Sequence, residues 1–325
     1  MMFIIIIIIV FLIAFMLRKK HTTLTKRYTD TSFHLGMLND THRVNTYKIA
    51  LEKNPSLIQG AKVLDVGCGT GVLSAFAHRG GASKVVGVDI FSLPKVQGTE
   101  DVIFVTGKPI EKAKLPEKKF DVIVSECMGH MLYEEYLFDM FLYARDKYLK
   151  PGGAMLPDIG NIYVTGFKGK DYGIPGCKSV EYIHPHNMVT NDYKIHNVDF
   201  TKVNLSDTFT VTSDIELHGH EDIDGLVIWF DVECSSRFCK ENPVTMDTKR
   251  LTSWFHAIVR FNESCKPSDV KNITLERQQN IVYKVIVDDI EFIEMGDNLQ
   301  TDWREVMKTV NPNHVNRIED YSPQR

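Results

Sequence analysis

The sequence predicts an α/β fold class, in which a domain built on a parallel sheet is followed by a mostly antiparallel β domain. Between residues 59 and 156, short apolar β-branched runs alternate with helical stretches, which is typical of a buried parallel sheet. From residue 157 onward the helical periodicity thins and strand patterns take over. A Pro-Gly-Gly sequence at 151–153 marks the change of composition between the two parts.

The predicted elements follow in chain order. Polar residues at 39–41 begin a helix that continues to Leu51, and a helix over 136–149 stops at the Pro-Gly-Gly sequence. Strands of the parallel sheet are predicted at 62–66, 84–88, 102–105 and 121–125. Strands of the second domain are predicted at 161–166, 209–217, 226–234, 254–261 and 281–293. The segment 168–199, rich in Gly, Pro, His and Asn, is predicted to be a loop.

The chain begins with an apolar segment over residues 1–17, followed directly by Arg18, Lys19 and Lys20. As a helix it would span about 26 Å, close to the ~30 Å of a bilayer core, and the positive residues after it would face the cytosol. We therefore predict a transmembrane signal-anchor at 1–17, a helical segment and linker at 18–58, and a catalytic domain in the cytosol. The alternatives are a cleaved leader, a buried extension or a misassigned start codon, which would leave a soluble cytoplasmic or nuclear protein.

Length and charge restrict the class of protein. A chain of 325 residues with 43% apolar residues is long enough for two folded domains. Its net charge of −4 argues against a strongly basic nucleic-acid binder, so we predict no direct nucleic-acid partner, whereas a cationic protein substrate is permitted. The six cysteines form no CxxC pair, which fits a reducing compartment, and we predict no metal site.

A glycine loop follows the first predicted strand, where residues 63–71 read VLDVGCGTG. Gly67, Gly69 and Gly71 allow a sharp turn and a close approach of a ligand at the start of a helix. Asp89 ends the next strand, where an acid can accept both ribose hydroxyls. The spacing differs from the G-x-G-x-x-G of dinucleotide loops, so it favours a nucleoside sulfonium such as S-adenosylmethionine over a dinucleotide or a ligand-free turn.

Acidic residues lie just beyond the fourth predicted strand, in the sequence SECMGHMLYEE at 125–135. Ligands of open α/β sheets bind at this edge, and two carboxylates such as Glu126 and Glu135 can hold one guanidinium ion in a bidentate manner. The alternative from spacing alone is that these are exposed loop acids, or that Glu134 is the buried one.

Three segments together resemble one family, the protein arginine methyltransferases: 63–89, SECMGHMLYEE and LYARDKYLKPGGAMLPD. The resemblance implies a Rossmann-type S-adenosylmethionine-binding domain at 59–156 and a β-barrel substrate domain at 157–325. It also implies methyl transfer from S-adenosylmethionine to an arginine-containing protein substrate.

The same resemblance implies roles for individual residues. Glu126 and Glu135 would grip the guanidinium, and Met128 would pack near the sulfonium. The cofactor would be bound by Arg43, Asp65, Gly67, Cys68, Gly69 and Asp89.

The chain also departs from the family pattern. Active members carry Thr-His-Trp where this chain reads Thr-Ser-Trp at 252–254, and His256 is a weak substitute for which a core or solvated position is expected. The amino-terminal lid helix and the helix after Asp89 are shortened. The acid expected at the adenine amino group aligns with either Ile110 or Glu111. The dimerisation arm over 168–190 is also short, so either a homodimer or a heteromer with another arginine methyltransferase is expected.

Three functions therefore compete. The first is an active, membrane-tethered arginine methyltransferase, which the glycine loop, Asp89 and the two glutamates favour. The second is a weak or inactive family member that acts as a regulatory subunit of another arginine methyltransferase, which the departures favour. The third is a methyltransferase acting on a different nucleophile, because the cofactor fold alone does not determine the substrate.

Overall fold

The computed structural model describes residues 31–134, 137–208, 210–277 and 283–294. The predicted anchor at 1–17 lies outside the described residues. Within the described part of the chain, no helix is long and apolar enough to cross a membrane.

The first part of the chain forms a five-stranded, entirely parallel sheet with the order β3-β2-β1-β4-β5. Its strands are β1 (Lys62–Val66), β2 (Lys84–Asp89), β3 (Ile103–Thr106), β4 (Phe120–Ser125) and β5 (Leu149–Leu156). The order reverses between β1 and β4, and Val66 pairs with Ser125 at the carboxyl ends of these two strands. The glycine loop after β1 and the acidic loop after β4 are therefore neighbours at the topological switch point, where such sheets bind ligands.

Five helices accompany this sheet within the described residues: α1 (Thr31–Leu38), α2 (Thr41–Glu52), α3 (Pro55–Ile58), α4 (Val72–Arg79) and α5 (Leu137–Tyr148). The α2 helix begins where Asp40 accepts a hydrogen bond from the backbone N–H of Arg43 at 3.1 Å, which satisfies one of the free N–H groups of the first turn. The predicted helices at 39–51 and 136–149 thus correspond to α2 and α5.

The connection from β2 to β3 contains no helix. Residues 90–102 cross as a loop whose Leu93 and Val96 are buried. The helix predicted to be shortened after Asp89 is therefore absent, and Pro94 within this segment disfavours a helix interior.

The second part of the chain forms a ten-stranded sheet that is antiparallel except where β15 pairs with β7. Its strands are β6 (Ile159–Phe167), β7 (Cys177–Glu181), β8 (Tyr193–Asp199), β9 (Thr210–Asp214), β10 (Ile223–Cys234), β11 (Val244–Asp247), β12 (His256–Cys265), β13 (Asn272–Arg277), β14 (Tyr283–Val287) and β15 (Ile290–Glu294). The hydrogen-bonded path runs from β8 to β9, and β11 pairs with β10. Among the described strands this path does not close into the predicted barrel. The sequence could not predict this, because alternation along a strand determines its buried face but not whether the first and last strands pair.

Three local predictions are wrong. The segment 168–199, predicted as a loop, contains β7 and β8. The single strand predicted at 281–293 is a hairpin, β14 and β15, that turns at Asp288 and Asp289, both with positive φ. The Pro-Gly-Gly sequence lies inside β5, where proline is tolerated because β5 is at the edge of its sheet.

One hydrophobic core runs continuously through both sheets. At the junction, Phe138 of α5 packs edge-to-face against Phe200 after β8, with ring centroids 5.3 Å apart. A buried ion pair between Arg277 of β13 and Asp139 of α5, at 2.6 Å, adds a polar link. These contacts hold the β sheet against the carboxyl edge of the parallel sheet, where the site lies.

Candidate active site

The glycine loop has the backbone conformation that its glycines permit. Gly67, Gly69 and Gly71 all have positive φ, at 72°, 49° and 83°. A Cβ atom at Gly67 would lie 2.6 Å from the side chain of Leu137, so this position has no room for a side chain. Cys68 is buried, and the backbone N–H groups of Gly67 and Cys68 both donate to the carbonyl oxygen of Val88 at 2.9 and 3.1 Å. The loop is thereby fixed to the end of β2.

Asp89 lies at the end of β2 beside this loop. One of its carboxylate oxygens accepts from the N–H of Gly69 at 2.8 Å and the other from the N–H of Phe91 at 2.8 Å. A carboxylate oxygen can accept more than one hydrogen bond, so both oxygens keep capacity for hydroxyl donors. The position at the strand end agrees with a ribose contact.

Asp65 is fully buried inside β1. Its Oδ2 atom accepts from the hydroxyl of Ser74 at 2.6 Å, and its Oδ1 atom has no hydrogen-bond partner among the described residues. Burial raises the pKa of Asp65 from 3.8 to about 6, although the hydrogen bond from Ser74 and the charge of Lys95 act in the opposite direction. This carboxyl group thus supports the loop from beneath.

Glu126 and Arg43 form a partly buried ion pair at the centre of the site. The Nη2 atom of Arg43 donates to the Oε2 atom of Glu126, while Oε1 of Glu126 is buried and has no partner among the described residues. Burial raises the pKa of Glu126, and the charge of Arg43 opposes that rise. One oxygen of this carboxylate is therefore held by the protein and the other remains available.

Arg43 is held by further contacts from the second sheet and from α1. Its Nη1 atom donates to the hydroxyl of Ser253 at 3.1 Å, and its guanidinium lies 4.8 Å from the ring centroid of Trp254. Ser253 also donates to Asp40 through its backbone N–H at 2.8 Å and through its hydroxyl at 3.1 Å. The serine in the Thr-Ser-Trp sequence thus contacts both the start of α2 and its arginine.

The acidic loop is fixed from several sides. Trp254 donates its indole N–H to the carbonyl oxygen of Met128 at 2.7 Å, and its own carbonyl oxygen contacts a ring nitrogen of His130. Tyr133 makes a hydrogen bond to His196 of β8 at 3.0 Å. Met128 itself is buried next to Cys127. Side chains of the second sheet therefore position the loop that carries Glu126.

The second half of the loop contains a buried ion pair that the sequence did not reveal. Glu134 lies 3.5 Å from the ammonium group of Lys178, a fully buried residue of β7. Glu134 is therefore buried, as the alternative interpretation of the sequence held, but a lysine of the protein faces it. Glu135, the predicted second catalytic acid, lies outside the described residues.

The structure distinguishes the two positions, Ile110 and Glu111, that the sequence left open for the acid expected at the adenine amino group. Ile110 is buried in the hydrophobic core, whereas the Oε2 atom of Glu111 is buried without a hydrogen-bond partner among the described residues. Glu111 is therefore the better candidate for the acid at the adenine amino group. His34 of α1 lies over the glycine loop, because a Cβ atom at Gly69 would be 3.5 Å from its ring.

His256 does not substitute for the missing imidazole. Its Nδ1 atom accepts from the N–H of Ile183, and its Nε2 atom faces the carbonyl oxygens of Thr248 and Lys249. Burial lowers its pKa to about 4. Phe255 has a φ of 56°, so the chain turns between Trp254 and His256 and the two side chains do not share a strand face. The expected core histidine is confirmed.

This fold and site define a class of protein. A parallel sheet of order 3-2-1-4-5, a glycine loop after β1 and an acid at the end of β2 form a nucleoside-binding methyltransferase core. The family model described as "Methyltransferase domain" matches residues 63–153, and the model "Arginine methyltransferase oligomerization subdomain" matches residues 170–289.

Curated relatives narrow the class. The chain is 34% identical over 281 residues to protein arginine N-methyltransferase 1 of Dictyostelium discoideum, with 76% of this chain and 81% of the relative covered. It is 32% identical over 304 residues to the probable protein arginine N-methyltransferase 3 of Arabidopsis thaliana, with 78% of this chain covered. The chain belongs to the protein arginine N-methyltransferase family. It spans 51% of the Arabidopsis relative, or about half.

Solved structures show the same fold. A structure described as the "Trypanosoma brucei PRMT1 enzyme-prozyme heterotetrameric complex with AdoHcy" superposes with a TM-score of 0.67 at 26% identity, covering 80% of this chain and 94% of that chain. Arabidopsis thaliana protein arginine methyltransferase 10 superposes with a TM-score of 0.70 at 20% identity, covering 80% and 93%. The second likeness concerns the fold alone.

Proposed function

We propose that this chain transfers methyl groups from S-adenosylmethionine to the guanidino nitrogens of arginine in proteins. The observation that carries the proposal is the state of Glu126. This carboxylate lies at the switch point of the sheet, Arg43 holds one oxygen, and the other oxygen is buried and has no hydrogen-bond partner among the described residues. A buried acceptor in this state costs free energy unless a ligand provides a donor.

The residues around the glycine loop fit S-adenosylmethionine. Asp89 would accept the ribose hydroxyls, and the unpartnered oxygen of Glu111 would accept from the adenine amino group. Arg43 would pair with the methionine carboxylate. The backbone of Gly67, Cys68 and Gly69 would line the ligand. When bound, the cofactor supplies a methyl group activated by the positive sulfonium.

Glu126 would hold and orient the substrate. A guanidinium ion remains protonated at neutral pH, so it arrives charged, and a carboxylate on its far nitrogens keeps the positive charge away from the nitrogen that attacks. That nitrogen would gain the methyl group, the cofactor would be left as a neutral thioether, and one proton would pass from the nitrogen to solvent. We propose Glu135 as the second carboxylate and Met128 as the side chain that limits the space beside the methyl group.

Arg43 and the substrate make competing demands on Glu126. Coulomb attraction inside a protein is much stronger than in water, so the Arg43 pair both retains the carboxylate in its ionised form and weakens its hold on a second cation. The proposed contact of Arg43 with the cofactor carboxylate would share its charge between two anions. Orientation of the nitrogen toward the methyl group then supplies the rate enhancement.

A second candidate function is a regulatory subunit of another arginine methyltransferase. Two observations favour it: serine occupies the place of the family's histidine at Ser253, and the Trypanosoma structure is described as an enzyme-prozyme complex. The oligomerization model matching 170–289 supports assembly with a like chain in either case. We propose a homodimer or a heteromer of this kind.

The domain division and the location are further proposals. The boundaries at 58/59 and 156/157 separate the helical linker, the cofactor domain and the substrate domain. The apolar residues 1–17 would tether the chain to a membrane with these domains in the cytosol; without that segment the protein would be cytoplasmic or nuclear. Fractionation of cells expressing the chain with and without 1–17 tests the tether, since equal distribution of both forms contradicts it.

The central experiment measures methyl transfer from labelled S-adenosylmethionine to an Arg-Gly-rich peptide by the full chain. We expect labelling to fall by at least about 100-fold in Glu126→Gln, because a neutral amide presents an N–H donor toward a cation, which loses about 3 kcal/mol or more. Glu117→Gln is the matched control, since Glu117 pairs with Lys62 and Lys84 at the opposite edge of the sheet. Labelling that survives in Glu126→Gln would refute the mechanism.

The same samples distinguish the two functions. If the wild-type chain binds S-adenosylhomocysteine but the peptide is methylated only when another family member is added, the regulatory hypothesis is correct. Methylation of the peptide by the chain alone, with a mass in analytical ultracentrifugation that matches a homodimer, supports the enzyme hypothesis.

A further inference from the structure

The loop over 90–102 connects β2 to β3, where most parallel sheets of this kind have a helix. A β-to-β crossover usually places a helix on the sheet face. Here the loop has no helix, and its Leu93, Val96 and Thr99 are buried while Lys95 among them is half buried. The side chain of Lys95 extends from this loop to the glycine loop.

Lys95 contacts Gly69 directly. Its ammonium group donates to the carbonyl oxygen of Gly69 at 2.5 Å and lies 3.9 Å from the sulfur of Cys68. The N–H of the same Gly69 donates to Asp89. Both polar backbone atoms of Gly69 are thus held by charged side chains, one anionic and one cationic.

The ammonium group also rests on a fixed platform. It lies 4.4 Å from the ring centroid of Phe104 on β3. Two glycines surround that ring, since a Cβ atom at Gly71 or at Gly87 would each lie 2.8 Å from it. Phe104 therefore has little room to move, and the cation above it is held in place by the ring and by the Gly69 carbonyl together.

We propose that Lys95 is a positioning residue for the cofactor, which fixes the glycine loop in its ligand-binding conformation in place of the absent helix. The inference rests on the proposed use of S-adenosylmethionine. A loop that is held before binding loses less conformational entropy when the ligand arrives, so Lys95 raises cofactor affinity without touching the reacting atoms. It acts through the backbone of Gly69, so it affects S-adenosylmethionine and S-adenosylhomocysteine alike.

The test compares Lys95→Met, Lys95→Arg and the wild type, with Lys118→Met as the matched control because Lys118 is exposed. Calorimetry with S-adenosylhomocysteine is expected to show a Kd about tenfold higher for Lys95→Met, because one charge-assisted hydrogen bond is lost. Lys95→Arg retains the cation and is expected to stay within about threefold of the wild type. The KM for S-adenosylmethionine should rise with the Kd, while kcat and the KM for the peptide stay unchanged.

Amide hydrogen exchange in the cofactor-free chain provides a readout that does not depend on the proposed function. Lys95→Met is expected to speed exchange of the backbone N–H groups at 67–71, and Lys118→Met is not. A Lys95→Met variant whose Kd lies within twofold of the wild type and whose exchange is unchanged overturns the inference. If the wild type binds no S-adenosylhomocysteine, the proposed function is refuted. Faster exchange in Lys95→Met would in that case still show that Lys95 fixes the glycine loop.

Discussion

Replacing Asp65 with asparagine is expected to change the free energy of unfolding and the affinity for the cofactor in different directions. The carboxyl group is fully buried, with one hydrogen bond from Ser74 and one oxygen without a partner among the described residues. Its pKa is raised from 3.8 to about 6 by burial. Above pH 6 the folded chain must keep a buried charge, so ionised Asp65 lowers the stability of the fold.

The size of this effect follows from the two pKa values. The difference between 3.8 and about 6 corresponds to about 3 kcal/mol at pH 7.5, since one pKa unit is worth about 1.36 kcal/mol. The sign is that of a raised acid: the unfolded chain loses its proton first as pH rises, so stability falls between pH 3.8 and about 6. About half of this loss is already present at pH 5, so the other half is expected to appear between pH 5 and 7.5.

Urea unfolding of wild type and Asp65→Asn at pH 5 and 7.5 measures this directly. The asparagine amide leaves one donor unpaired, but that cost is the same at both pH values and cancels in the comparison. We expect the free energy of unfolding of the variant relative to the wild type to increase by roughly 1 kcal/mol from pH 5 to 7.5. Asp121→Asn is the control: the hydrogen bonds from Lys150 and from the backbone N–H of Lys62 outweigh burial and lower the pKa of Asp121, so its contribution to stability is already complete at pH 5 and its difference from the wild type is expected to stay constant up to pH 7.5.

A constant difference between wild type and Asp65→Asn over this pH range would refute the reasoning, because it would mean that Asp65 titrates alike in the folded and unfolded chains. The variant is also expected to bind S-adenosylhomocysteine more weakly, because the charge-assisted hydrogen bond from Ser74 to Asp65 is replaced by a weaker one to a neutral amide oxygen. Greater stability with weaker binding is the combination expected of a residue that serves a ligand site.

Three further predictions concern other parts of the site. Ser253→Ala removes the hydroxyl contacts with Arg43 and Asp40 and should weaken S-adenosylhomocysteine binding by about threefold to tenfold in calorimetry. Ser253→Thr keeps a hydroxyl and should bind like the wild type; equal affinities of the wild type and both variants would contradict this role of the hydroxyl. Lys178→Met should lower the free energy of unfolding in urea by about 3–5 kcal/mol, because it leaves the Glu134 charge buried without its cation. The double variant with Glu134→Gln should lose much less, and equal losses in the single and double variants would contradict the coupling of the pair. The pKa of His256 is lowered from 6.5 to about 4, so the wild type should lose up to about 3 kcal/mol of unfolding free energy as pH falls through that range, and His256→Gln should remove this pH dependence; parallel pH profiles of the two proteins would contradict the prediction.

The parallel sheet was predictable because its signals are local. A continuous apolar strand, a glycine turn and a helix start lie next to one another in the sequence, and β1 was predicted with the bounds that the structure shows. The positions of Asp89 and Glu126 were predictable for the same reason, since a residue at the end of a buried parallel strand lies at the carboxyl edge of the sheet.

The second sheet was less predictable because its strands pair over long distances in the chain. β7 and β8 lie in a segment whose glycine, proline and histidine content is typical of loops, and they become strands because β12 and β6 present free backbone groups beside them. Local propensity could not reveal these partners, nor whether the sheet closes.

The sequence alone determined the frame of the candidate site: the strands of the parallel sheet, the glycine loop, the acid at the end of β2 and the position of Glu126 after β4, all of which depend on neighbours in the chain. Only the tertiary structure decided which charges meet. The ion pairs of Glu126 with Arg43 and of Glu134 with Lys178, and the contact of Lys95 with Gly69, join residues from different elements. Such contacts depend on how the two sheets and the connecting loops pack, because electrostatic energy follows distance in space and burial rather than separation in sequence.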